Sequence, residues 1–375
     1  MAGIYIHIPF CKKRCTYCDF YTEVAPKLIP KLVDSIVKEL HFRKDYLQNA
    51  TIQTIYFGGG TPSILDTKQF ELIFEAIYNL FNIDSNAEIS FEANPDDLTP
   101  LFFQTISNLP FNRISIGIQS FDDEDLKLMN RRHSGKEAIE AVKNAQKSGF
   151  KNISIDLIYG LPFQDINKWE NQLKIAFKLD IQHISSYGLT YEEGTVLWKQ
   201  RENGELKTVD DDTMNKMYQM LLNKMKQNGF EAYEISNFAK PGYRSKHNTS
   251  YWQQKPYIGV GPSAHSYNIK SRQWNISSIH KYISLINSNL PFFEKEELSI
   301  YDKYNDYIMV SLRTTEGLDV NYLEELFGTE LKEYCLKNIK SFIENNKMEI
   351  KDGKIRLTQK GIMISNLIIM ELFKI

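Results

Sequence analysis

Residues 4–20 read IYIHIPFCKKRCTYCDF. An apolar run ends at Pro9 and passes almost directly into Cys11, Cys15 and Cys18, spaced C-x3-C-x2-C. These are three of the four cysteines in 375 residues. Thiolates at that spacing can turn inward on one loop, and soft sulfur ligands select iron–sulfur clusters, zinc or copper. A structural zinc takes four ligands. No second pair of cysteines or histidines follows at zinc-site spacing, which leaves His7 or Asp19 to complete such a site. A [4Fe–4S] cluster is ordinarily held by four cysteines, so three leave one iron open to an exchangeable ligand. The three-cysteine cluster is the favoured reading and zinc the competing one. A disulfide framework does not fit an odd group in a cysteine-poor chain.

Outward from this loop the chain alternates. Residues 4–9 read as a first strand, and apolar β-type runs recur at 54–62, 87–95, 113–120, 152–162 and 183–190. Helical patterns lie between them at 30–48, 67–81, 99–108, 122–148 (broken near 131–135) and 167–179. Six strands alternating with helices are the pattern of βα units and a parallel sheet. The strands read as near-continuous apolar runs, as strands covered on both faces do. Special residues gather toward the strand ends: the cysteines, GGGTP at 58–62, Glu92 and Asn94, Gln119, Asp156, then Tyr187 and Thr190. A doubly wound sheet would use mainly its switch-point crevice, whereas a barrel brings all strand ends over one mouth. The expected fold is α/β, a partial, open TIM-like (βα)6 barrel over 1–240.

Past Thr190 the repeat fades. A helix is expected over 211–228, with Met214, Met217, Tyr218, Leu221 and Leu222 on one stripe read as core. A strand and turn follow at 229–239, then two loop-like segments, 246–252 and 257–267, inside a connecting region of 241–298. From 299 to 375, three helices, a hairpin about Asp352-Gly353 and a last apolar helix predict a small winged-helix-like domain. Cys335 on its third helix reads as a buried structural thiol rather than a cluster ligand.

The composition narrows the function classes. Net charge is −2, from 45 basic and 47 acidic residues, which gives no general basic surface for nucleic acid and no basic recognition face on the winged helix. A docking or lid role therefore suits that domain better than DNA binding. No signal-peptide pattern opens the chain and no apolar run approaches a membrane span, so the expectation is a cytoplasmic protein with reduced thiols.

Three further motifs matter. Gly59 and Gly60, followed by Thr61, let a backbone approach a ligand closely and present N–H donors; a plain tight turn would look the same in isolation. Glu92, Gln119, Arg131 and Asp156 are each ordinary, but at successive barrel ends they can hold an amine, ribose hydroxyls and a carboxylate. His247 in HNTSYW, 247–252, offers an imidazole beside Tyr251 and Trp252, a set that suits heme. From residues alone, a satisfied loop histidine is the commoner role.

With these residues assembled, the chain resembles, over essentially its whole length, radical S-adenosylmethionine (SAM) proteins of the oxygen-independent coproporphyrinogen III oxidase family. The resemblance implies that Cys11, Cys15 and Cys18 ligate a [4Fe–4S] cluster. It implies that SAM binds the open iron, contacted by a set resembling Tyr5, Tyr17, Gly59, Gly60, Thr61, Glu92, Gln119, Arg131 and Asp156. Two departures from the family's dehydrogenase stand out. Phe20 occupies the place of a further cysteine two positions after Cys18, and only ten residues precede Cys11, where the dehydrogenase has a long extension. These departures, with HNTSYW matching H-N-x-x-Y-W, make the chain similar to the family's heme-chaperone branch. There His247 is implied in heme binding, and coproporphyrinogen dehydrogenase activity is not expected. Two functions therefore compete. One is a chaperone that hands heme to an acceptor protein. The other is an enzyme that takes an electron from a donor, cleaves SAM and removes hydrogen from a porphyrinogen propionate.

Overall fold

The computed structural model describes all residues, 1–375. Six strands form the parallel core: β1 (Ala2–Ile8), β2 (Ile52–Gly59), β3 (Ile83–Ala93), β4 (Arg113–Gln119), β5 (Ile153–Tyr159) and β6 (His183–Gly188), neighbours in chain order. β1 and β6 do not pair, so the barrel is open. Each outer edge is covered instead. β7 (Glu231–Ala232) and β8 (Asn237–Ala239) continue the sheet antiparallel beyond β6. β9 (Tyr257–Val260) joins β1 in parallel, and β10 (His265–Tyr267), β11 (Ser271–Asn275) and β12 (Phe293–Glu297) extend it antiparallel. No core strand keeps an unpaired edge, the feature that invites aggregation.

The strands are not the continuous apolar runs expected. They alternate. Ile4, Ile6 and Ile8, Ile55 and Phe57, Ile89 and Phe91, Ile114 and Ile116, Ile153 and Ile155 are buried in one core with helix residues such as Leu32, Ile36, Phe70 and Ile73. Their neighbours turn to the inner face and pair in register: Tyr5 beside Tyr56, Tyr56 beside Ser90, Glu92 beside Ser115, Ser154 beside His183, Asp156 beside Ser185. Because side chains alternate faces along a strand, this spacing gives an apolar outside under the helices and a polar interior. An ordinary closed barrel fills that interior with branched apolar side chains; here it is built from groups that need partners.

The helices follow the sequence closely. Ile29–Phe42 and Thr67–Leu80 flank β2, the latter opened by an Asp66–Gln69 capping box. The expected break near 131–135 separates Asp123–Leu128 from Gly135–Lys147, whose own capping box is Ser134–Glu137. Two segments read as loops are regular. Residues 246–252 form a helix, Lys246–Trp252, capped by the Ser245 side chain on the Asn248 N–H, and 257–267 supplies β9 and β10. Residues of 241–298 also enter the barrel's core, among them Ile258, Val260 and Tyr282.

A second core begins at Tyr304 and includes Leu331, Cys335, Ile355 and Ile369. It holds helix Ile300–Ser311, a long segment Val320–Asn338 kinked at Gly328 (φ 82°), and a hairpin of β14 (Met348–Lys351) and β15 (Lys354–Leu357). β13 (Leu318–Asp319), which was not expected, makes the wing three-stranded. The final helix is two pieces, Gln359–Ile362 and Ser365–Leu372. Cys335 is fully buried, away from the other thiols' loop.

Candidate functional site

The C-terminal ends of all six core strands open into one cavity of about 590 Å³. Cys11, Cys15 and Cys18 line it from the β1 loop, Gly59–Thr61 from β2, Glu92 and Asn94 from β3, Gly117 and Gln119 from β4, Asp156 from β5 and Tyr187 from β6; Tyr17, Phe20 and Arg131 complete its wall. The convergence that the barrel reading required is therefore present.

The cysteine loop is held at several points. The Cys11 N–H donates to Glu23 O, the Thr16 N–H to Met129 O, and the Leu197 N–H to Thr16 O, at 3.1, 3.2 and 2.9 Å. Lys12 reaches the buried Asp97 at 2.5 Å, which also accepts from the Ser63 hydroxyl at 2.8 Å. The three thiols are free and partly exposed to the cavity. Burial pushes the Cys11 thiol up and the Cys18 thiol up to about 11, so metal loading must displace their protons. Side chains of His, Cys, Asp and Glu do not converge in threes as a single metal ion requires. All three cysteines face the one cavity, an arrangement that suits a cluster in which each iron takes one thiolate. His7 is not turned to them: Nδ1 meets the Tyr5 hydroxyl at 2.9 Å and Nε2 lies 3.5 Å from Tyr21 O.

The glycine run packs more than it opens. A Cβ on Gly60 would stand 2.6 Å from Phe10 O and 2.9 Å from Ile8 O, the backbone that leads into the cysteines. Gly59 takes φ 107°, a conformation that favours glycine, and a Cβ there would strike the His7 ring. A side chain at Gly60 thus displaces the cysteine loop itself, rather than merely narrowing the approach of a ligand.

Arg131 ties the wall together. Nη2 donates to Asn94 Oδ1 at 2.6 Å and to Gly117 O, and Nη1 lies 3.5 Å from Cys15 Sγ. Asn94 in turn donates to the Thr61 hydroxyl at 3.0 Å, which lies 3.5 Å from Cys11 Sγ. The buried Nε of Arg131 has no hydrogen-bond partner within the chain. Gln119 sits at φ 68° beyond a register shift in the β4–β5 pairing; bulges of this kind re-aim side chains at sites.

Two carboxylates form the floor. Glu92 accepts from the Tyr56 hydroxyl at 2.7 Å and from the Gly59 N–H at 3.1 Å. Burial raises it to about 7 despite those bonds, and Asp156 adds to the rise. Burial likewise raises Asp156 to about 6. An acidic floor with raised pKa values is a functional-site signature and favours a cationic ligand, which restores the charged forms.

Two of the expected contacts lie elsewhere. Tyr5 is beneath the cavity, its ring stacked 6.2 Å from that of Tyr56. His247 is deeper still. It is buried, its ring 4.9 Å from that of Tyr56, with Nδ1 at 2.8 Å from the Thr54 hydroxyl and Nε2 at 2.8 Å from the Tyr251 hydroxyl. Burial lowers its pKa to about 3. Tyr56 and Asp97 were missed by sequence reasoning. Tyr56 stands two residues before the glycine run and so on the same inner face as Gly58, a signal available once alternation is recognised.

A radical SAM superfamily model matches residues 5–175, and a HemN C-terminal domain model matches 298–364. The chain is 31% identical to the heme chaperone HemW of Bacillus subtilis over 98% of this chain and 97% of that one. It is 33% identical to HemW of Mycobacterium tuberculosis over 84% and 82%. Among solved structures, the coproporphyrinogen III oxidase HemN of Escherichia coli, described as a radical SAM enzyme, superposes with a TM-score of 0.87 at 21% identity, covering 100% of this chain and 90% of that one; it shares the fold. On these grounds the chain belongs to the HemW heme chaperone family of radical SAM proteins.

Proposed function

We propose that this chain is a heme-binding chaperone that carries a [4Fe–4S] cluster and SAM and delivers heme to an acceptor protein. The observation that carries the reading is one cavity faced by three free thiols and an acidic floor, in a chain whose full-length relatives are named heme chaperones. Cys11, Cys15 and Cys18 would hold the cluster. Glu92 and Asp156 would meet the cationic part of SAM, with Arg131 and the Gly59–Thr61 backbone against its carboxylate. The cluster with SAM supplies one-electron chemistry, given an electron donor. The residues present bind, orient and shield that pair.

Heme binding has two routes. The motif histidine His247 can ligate iron only after the Tyr251 hydroxyl leaves Nε2 and the helix Lys246–Trp252 opens. His265 on β10 needs no opening: it is exposed, carries no side-chain hydrogen bond, and lies across the strand pair from Trp274. Heme titration of the wild type, His247→Ala and His265→Ala separates them, because loss of the axial ligand changes the heme absorption spectrum. Incubation of the reconstituted protein with coproporphyrinogen III, SAM and reductant tests the rival reading. The chaperone account expects heme binding without protoporphyrinogen. Product formed with matching SAM cleavage would replace it by the dehydrogenase.

A further inference from the structure

The inner face of β1–β3 is closed from below by the helix Lys246–Trp252. Glu88 of β3 holds its first turn, accepting from the Lys246 and His247 N–H groups, both at 3.1 Å. Glu92, four residues on, shares that face of the strand and looks into the cavity. Between helix and cavity stands the Tyr56 ring. His247 lies flat on it, 17° between planes, and is itself clamped through both nitrogens. Tyr5 stacks nearby, 23° from parallel, and Gly58 leaves the room these rings need: a Cβ there would strike Tyr56 at 2.8 Å and Tyr5 at 3.0 Å. The Tyr56 hydroxyl is thereby aimed at Glu92.

We propose that His247 is a positioning residue for the cavity: by clamping the Tyr56 ring it holds the Tyr56 hydroxyl on Glu92, and so sets the orientation and charge of the carboxylate that a cationic ligand meets. The proposal rests on the reading of the cavity as a SAM site only for the identity of that ligand. It gives the buried imidazole of the HNTSYW segment a role that needs no heme. Removing the ring leaves a void into which Tyr56 can drop, taking its hydroxyl from Glu92. A carboxylate that loses a donor is harder to ionise. The other groups facing Glu92 are Tyr5 below it, Asp156 across on β5, Tyr187 on β6 and Tyr251 from the helix; the cations nearest the pair, Arg113 and Arg131, act on Asp156. None of them replaces the Tyr56 hydrogen bond.

The test compares wild type, His247→Ala, His247→Phe, Tyr56→Phe and the double variant His247→Ala/Tyr56→Phe as full chains. SAM affinity is measured calorimetrically across pH on the cluster-loaded protein. Glu92 ionisation is followed by pH-difference infrared spectroscopy, with Glu92→Gln identifying its band. Tyr56→Phe and His247→Ala should each raise the Glu92 midpoint by about half to one pH unit, about 3- to 10-fold in proton affinity, and weaken SAM binding in parallel at neutral pH. The double variant should go no further. His247→Phe keeps a ring on Tyr56 and should keep the wild-type midpoint. If the alanine variant does not fold, His247→Asn, which lacks a ring, takes its place with the same expected shift. An unmoved midpoint in the ringless variant, or additive shifts in the double variant, overturns the proposal. The infrared readout needs no SAM, so a chain that fails to bind SAM refutes the cavity's assignment while the positioning claim is still decided.

Discussion

Replacing Glu92 by Gln should make the protein more stable at alkaline pH and weaken its hold on a cationic ligand. In the folded chain the Glu92 carboxyl keeps its proton up to about pH 7, against an ordinary value of 4.5. The unfolded chain releases that proton near the ordinary value. Between the two, the folded state binds more protons than the unfolded one, so stability falls as pH rises, and the loss is complete above the folded midpoint. At about 1.4 kcal/mol per pH unit the gap is worth about 3 kcal/mol. Glu92 borders the cavity and is only partly shielded from its water, and screening trims the figure to about 1–3 kcal/mol. Glutamine has the shape and hydrogen-bonding capacity of the protonated acid: its oxygen can accept from the Gly59 N–H and its amide can donate to the Tyr56 oxygen. Wild type and Glu92→Gln should therefore unfold in urea at similar midpoints at pH 5 and diverge at pH 8, the variant being the more stable by that amount. A stability difference that does not change with pH would refute the claim that Glu92 is held in its neutral form. A wild type that gains on the variant as pH rises would reverse its sign.

Gly60→Ala should reduce cluster loading as well as SAM binding, because the new Cβ meets the Phe10 and Ile8 carbonyls; overpacking of this kind costs about 1–3 kcal/mol. Iron content after reconstitution checks it, and full loading with SAM binding alone lost would restore the simpler blocking role. Cys335→Ser should leave the iron content unchanged while lowering the melting temperature, since it puts a hydroxyl into the C-terminal core; iron loss in that variant would make Cys335 a ligand. Asp97→Asn should loosen the cysteine loop by weakening its hold on Lys12, read as faster loss of iron to a chelator; an unchanged rate would show that the backbone bonds alone hold the loop.

The barrel was legible because its helices and strands recur with clear spacing, and because Cys11, Gly59, Glu92, Gln119 and Asp156 all stand near strand ends. What sits beneath the cavity was not. Alternation such as Ile4-Tyr5-Ile6-His7-Ile8 passes for one apolar run, since tyrosine counts as apolar in a window, and this hides the polar interior. The helix Lys246–Trp252 has seven residues, about two turns and too short for a periodic pattern to stand out, and its first turn is completed by Glu88, more than 150 residues earlier in the chain. The sequence accordingly suggests a loop for His247, which is instead helical and buried under the barrel. β9–β12 escape a local reading because they are short and are anchored through β9, whose pairing with β1 joins segments about 250 residues apart. Gly328 lies in the gap between the helices expected over 320–327 and 330–345, whereas the break near 363–364 carries no glycine or proline to mark it.

The most direct test of the central claim is electron paramagnetic resonance of the anaerobically reconstituted, reduced protein, recorded before and after SAM is added. The account predicts a [4Fe–4S] signal from about four irons per chain, lost when Cys11, Cys15 or Cys18 is changed to Ser, and altered in shape or position by SAM at the open iron. Tightly bound zinc with no cluster signal, or a cluster signal that SAM leaves unchanged, would contradict it.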